Sequence, residues 1–137
     1  MAIGMSEATR NARLQAIIDA VDADGPTEGY IEFYNGTRPA TGAAVTTQTL
    51  LGTVTFGLPC ATISAGTLTL NPTTDDVSVD ADGTLRWARV YSGSATFIMD
   101  LTCGLAGSGA DIIFTSVDAL SGGVLKITAG TIAEGNA

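Results

Sequence analysis

The sequence predicts a mainly β protein with one N-terminal helix, and three observations carry that prediction. Apolar and polar residues alternate in short runs such as Tyr30-Ile31-Glu32-Phe33-Tyr34, the two-residue period of a half-buried strand. Clusters of Gly, Pro, Asn, Asp and Ser punctuate these runs at intervals of roughly 10 to 15 residues. Only the stretch before residue 22 repeats its apolar residues with a helical period. The pattern favours an antiparallel β-sandwich or jelly-roll of about seven or eight short strands over any βαβ arrangement. With 137 residues, the chain fits a single globular domain. Residues 1–26 form an N-terminal segment with an amphipathic helix, and residues 27–137 form the β body.

The helix is read from "SEATRNARLQAIIDAV". Ser6 is a good N-cap, and Glu7 puts a negative charge where the helix dipole favours it. Leu14, Ile17, Ile18 and Val21 make one narrow apolar stripe, so one side of the helix must be covered. "DADGP" at 22–26 stops it, while Asp19 and Asp22 come late, where a carboxylate opposes the dipole. Two coverings are open: the end of the helix's own β body, or a neighbouring subunit.

The strands follow in order. "GYIEFYNG" alternates; "TLLGTVTFG" places Leu50, Val54 and Phe56 on one face, with Gly52 as a possible bulge. "GTLTLNP" and "DDVSVDADG" read as short strands. "TLRWARVYSG" sets Leu85, Trp87 and Arg89 against Arg86, Ala88 and Val90, and "ATFIMDLTCG" pairs with it across a short turn. Trp87 is expected to anchor the core. "GLAGSGAD" is a glycine-rich loop between strands, and "ADIIFTS" and "GGVLKITAGTIAEGNA" supply the last strands.

Composition narrows the function. Hydrophobic residues make up 45% of the chain and charged ones only 15%, with 17 glycines, so Thr, Ser, Gly and Ala must cover much of the surface. Such a surface is more natural where neighbours hide part of it. A net charge of −8 with six basic residues opposes nucleic-acid binding, which needs a basic field. Lys126 is the only lysine, against membrane recruitment by a polybasic patch, and no apolar run approaches the roughly 20 residues that span a bilayer. The N-terminus lacks a secretory pattern, so synthesis in a cytoplasm is expected.

No histidine is present, which removes a histidine-based triad and argues against zinc. Cys60 and Cys103 sit among apolar or small residues and are expected to be reduced thiols. No catalytic residue and no cofactor is expected. The acidic stretch Asp75, Asp76, Asp80, Asp82 resembles half a calcium loop, with Ser78, Asp80, Asp82 and Gly83 in register. Arg89 stands where that loop needs a bidentate Glu, so a turn is the simpler reading and calcium on Asp80 and Asp82 the weaker one. Arg38, in the long loop "NGTRPATGAAVTT", is placed to meet a partner. Ile3 and Met5 in the apolar lead-in "MAIGM", with Arg10 and Arg13 on the polar side of the helix, are further contact candidates.

Four segments carry a resemblance: "SEATRNARLQAI", "YNGTRPATGAAVTT", "LRWARVYSGSATFIMD" and "ITAGTIAEGNA". In this order, along nearly the whole chain, they resemble a group of small virion structural proteins of tailed bacteriophages and prophages. Cys60, Cys103 and the bulky "GYIEFYNG" strand depart from the group's pattern. The resemblance implies a non-enzymatic capsid cement or decoration protein, made in the bacterial cytoplasm and resident in the virion. Its partner would be the major capsid protein, with further copies of itself on a symmetric particle. A tail, connector or baseplate component is the alternative, and a small carbohydrate-binding module the reading from another class.

Overall fold

In the computed structural model, which describes residues 3–74 and 78–133, Ser6 caps a helix α1 over Glu7–Val21 and accepts the Thr9 N–H at 3.2 Å. Leu14, Ile18 and Val21 are buried and join the main core, with Ile17 packed against its margin. Three polar side chains tie the helix and its exit turn to the β body. Asn11 Oδ1 accepts the Gly66 N–H at 2.8 Å, Asp22 Oδ2 accepts the Cys60 N–H at 3.1 Å, and Asp24 Oδ2 accepts the Ser94 N–H at 2.8 Å. The bond to Cys60 offsets the poor placement of Asp22 at the negative end of the helix. The helix is therefore covered by its own β body.

The strands are β1 (Tyr30–Tyr34), β2 (Leu50–Ser64), β3 (Thr67–Thr74), β4 (Gly83–Thr84), β5 (Trp87–Tyr91), β6 (Phe97–Leu105), β7 (Ile112–Phe114), β8 (Asp118–Ala119) and β9 (Ala129–Ala133). Seven of them close into a barrel in the order β1-β2-β3-β9-β7-β6-β5, and β4 with β8 makes a separate two-stranded sheet. The protein is mainly β with one N-terminal helix, but its main sheet is a closed barrel rather than two stacked sheets. Each of the seven strands pairs with two others, as where Ile31 of β1 pairs with Val54 of β2 on one side and with Val90 of β5 on the other. Alternation says which face of a strand is buried. It does not say whether a second sheet or the same sheet curled round does the burying.

Two irregularities shape the ring. Strand β2 is 15 residues long, not short, and its register to β3 slips between Phe56 and Ala61, pushing Leu58 out to 46% exposure. The bulge expected at Gly52 lies one residue earlier, since Phe33 pairs with Gly52 but Tyr34 with Leu50. Leu51 is thus the buried residue in place of Leu50. Ala65 and Gly66 close the β2–β3 hairpin at φ 50° and 75°, the left-handed pair of a two-residue turn.

The pairing is mixed, since β6 and β7 run parallel with Cys103 opposite Ile112. The glycine-rich loop permits the short return between them, with Gly107 and Gly109 at φ 83° and 80°. Asp111 closes it by accepting the Thr102 N–H at 2.9 Å and the Thr102 hydroxyl at 3.0 Å.

Cys60 is buried, Cys103 half-buried, and both are free thiols. Burial pushes each thiol up to about 12, helped at Cys60 by the Asp22 carboxylate and at Cys103 by Asp111. At pH 8.5 the folded chain is expected to react with a thiol reagent at least ~100-fold more slowly than the chain unfolded in guanidinium. The sign follows: the folded state keeps protons that the unfolded state releases above about pH 8.5, so these thiols lower stability as pH rises toward 12. A stopped-flow labelling trace checks the rate.

Candidate interaction surface

The outer face of β1 and β5 carries a row of cross-strand pairs: Tyr30 with Tyr91, Glu32 with Arg89, and Tyr34 with Trp87. The tyrosine rings stack at 5.1 Å, and Tyr34 lies on Trp87 at 4.6 Å. Trp87 is buried, but it belongs to this outer layer and not to the barrel interior, where Ala88 and Val90 point. The long loop at 35–49 makes that possible by folding over the face. Its neck is closed by the Asn35 N–H on Thr49 O at 3.2 Å and the Thr49 N–H on Asn35 Oδ1 at 2.7 Å, a loop whose ends meet.

Beneath the loop lies a buried ion pair. Arg89 Nε and Nη2 donate to Asp100 Oδ1 and Oδ2 at 2.7 and 3.0 Å. Arg89 Nη1 donates to Ala43 O at 2.8 Å, and the Gly42 N–H donates to Asp100 Oδ2 at 3.3 Å. The guanidinium also sits 5.3 Å from the Trp87 ring centre and 5.1 Å from that of Phe97. Both members of the pair thus hold the loop as well as each other, and Asp100 keeps the guanidinium above its ordinary pKa. Arg38 rides on this loop, exposed, with no hydrogen bond or ion pair to the described residues.

The helix and the small sheet occupy opposite mouths of the barrel. Gly29 leads into β1 and packs against Val21; a Cβ there would lie 2.8 Å from Tyr91 O at the end of β5. At the other mouth, the Asp80 N–H bonds Leu51 O near the start of β2, and the Leu85 N–H bonds Val117 O just before β5. There β4, β8 and the turn at 120–124 form a cleft of about 260 Å³, floored by Val79, Leu85, Phe114 and Leu125. Leu120 and Val124 stand on its lip at 68% and 65% exposure. Asp118 and Lys126 line it. Asp82 stands beside it, accepting the Ser121 N–H at 2.7 Å.

Compared with protein-family models, curated proteins and solved structures, the chain matches none.

The residues singled out in the sequence do not form one site. Ile3 is 59% exposed ahead of α1, whereas Met5 is half-buried and its Sδ accepts from Arg13 Nη1 at 3.3 Å. Arg10 is folded over the β2–β3 turn, where its guanidinium fills the space a Cβ on Gly66 would need. Arg13 and Arg38 are exposed on different elements. Asp80 and Asp82 are exposed, Asp75 and Asp76 lie outside the described residues, and no group of three or more His, Cys, Asp or Glu among the described residues could hold a metal ion.

Leu120 and Val124 escaped the sequence reading. The signal was present, since "ALSGGVL" sets two large apolar residues around a Ser-Gly-Gly turn. Flanking residues of a turn normally pair across a hairpin and cover each other. Here the chain turns without forming that hairpin, and both stay uncovered.

Proposed function

We propose that the chain is a non-enzymatic structural protein of a tailed-phage virion, a cement or decoration protein seated across major capsid subunits and stabilising the head. The observation that carries this reading is a low-charge barrel with exposed apolar anchors at both mouths: Ile3 at one, Leu120 and Val124 at the other. Exposed aliphatic residues beside a formed cleft are the usual mark of a protein-binding surface. Each contact can be modest, because copies held on a lattice bind at high effective concentration. The resemblance of the four sequence segments to virion proteins supplies the setting.

The experiment is a copy-number measurement. Purified particles are dissociated and the chain is quantified by mass spectrometry against the major capsid protein. A fixed ratio with many copies per head is the expected result, together with heads that burst at lower temperature when the chain is absent. A few copies per particle would replace this reading with the tail or connector one. Absence from the particle overturns both.

A further inference from the structure

We infer that the cleft between β4, β8 and the 120–124 turn receives the N-terminal lead-in of a second copy of this chain, with Ile3 as the anchor. This inference deepens the structural-protein reading by naming one partner of the cleft. Its test is independent of any particle.

At about 260 Å³, the cleft has room for an aliphatic side chain. An aliphatic floor of Val79, Leu85, Phe114 and Leu125 under a lip of Leu120 and Val124 suits an aliphatic anchor. Within the chain, Ile3 is the matching group: 59% exposed, outside any helix or strand, ahead of a helix whose apolar stripe is already buried against its own barrel. Residues 3–6, extended, reach at most about 14 Å. They leave from the mouth opposite the cleft, so the receiving cleft belongs to another copy.

Charge points the same way. Arg10 and Arg13 against Glu7 give α1 a basic start in a chain of net charge −8. Asp118 and Lys126 line the cleft, Asp80 and Asp82 lie beside it, and Arg86 follows Leu85 of its floor, so carboxylates outnumber cations there by three to two. The basic start of α1 and the slight carboxylate excess around the cleft are opposite in sign. Because the two surfaces lie at opposite mouths, the contact is heterologous. Repetition builds a ring or a row and not a closed two-fold dimer.

The test uses the full chain and two substitutions at exposed positions, Ile3→Glu and Val124→Glu. Molecular mass is followed by light scattering from ~10 μM to ~1 mM, the range in which a contact this small associates. Wild type is expected to grow with concentration beyond a dimer. Each variant alone is expected to be monomeric, its association weakened at least ~10-fold, because either change puts a charge into the apolar contact. Mixed one to one, the variants are expected to form heterodimers and nothing larger, since one supplies only a working cleft and the other only a working arm. Unchanged thermal melts establish that both variants fold. A wild type that stays monomeric throughout, a mixture that stays monomeric, or assembly lost only with Val124→Glu would each overturn the inference. Failure here leaves the copy-number result standing, and the reverse also holds.

Discussion

Asp100→Ala is expected to lower the melting temperature by about 10–20 °C, the consequence of leaving a buried guanidinium without its counter-charge at a cost of about 3–5 kcal/mol. Both side chains of the pair are almost fully covered, at 5% and 0% exposure, so water cannot replace the lost carboxylate. A second readout separates this site from ordinary packing. Asp100 also accepts the Gly42 N–H, and Arg89 donates to Ala43 O, so the loop at 35–49 should lift from the barrel. Limited proteolysis is expected to cut the variant within that loop well below its melting temperature, while the wild type survives. Replacing the pair with an apolar pair such as Arg89→Met with Asp100→Leu should recover part of the melt. It should not recover protease resistance, because the loop's Gly42 N–H and Ala43 carbonyl would still lack partners. Equal cleavage of wild type and variant would show that the pair does not hold the loop.

Deleting residues 1–21 is expected to unfold the domain. Burial of Leu14, Ile18 and Val21 against the barrel contributes about 1.5–3 kcal/mol for each side chain. Their sum approaches the whole stability of an ordinary domain, about 5–15 kcal/mol. Near-ultraviolet circular dichroism should lose its fine structure, and the thermal transition should lose cooperativity. Leu14→Ala is the milder version, expected to cost about 2–5 kcal/mol with the fold retained. A truncated chain that melts as sharply as the full one would show that the helix is an accessory and not part of the core. The contrast with Ile3→Glu is useful, since that change touches the exposed lead-in and should leave the melt alone.

The sequence made the helix legible because a stripe with period 3.6 and a Ser N-cap are local signals. Leu14, Ile18 and Val21 sit where that stripe requires. The β1 and β5 alternations were legible for the same reason, down to the grouping of Trp87 with Arg89 on one side and Ala88 with Val90 on the other. What could not be read was which of the two sides faced inward at Trp87. Normally the side with the largest apolar residue is the core; here a loop more than 30 residues upstream covers it from outside. The closed ring was hidden likewise, because the β1–β5 pairing joins Ile31 to Val90 across the sequence, and nothing local encodes a contact of that separation. Bulges moved the inward residue from Leu50 to Leu51, a one-residue slip to which alternation is blind. On the surface, the exposure of Arg38 was legible from its place in a long polar loop. Leu120 and Val124 were not, because their exposure depends on a hairpin that does not form.

The seven strands of the main sheet form a ring with no first or last member. A sheet that ends must guard its outermost strand, whose unpaired amides invite any similar strand nearby. In this ring every strand has a partner on both sides, although β9 meets β3 only over Thr67–Thr69 and β7 meets β6 only over Cys103–Leu105, so backbone open to another strand is confined to the rest of β3 and β6. A contact made elsewhere on the ring would rest on side chains, which a single codon change can strengthen, weaken or redirect while the hydrogen-bonded frame stays as it is. Across the fully paired strands, a surface contact can change without altering the fold.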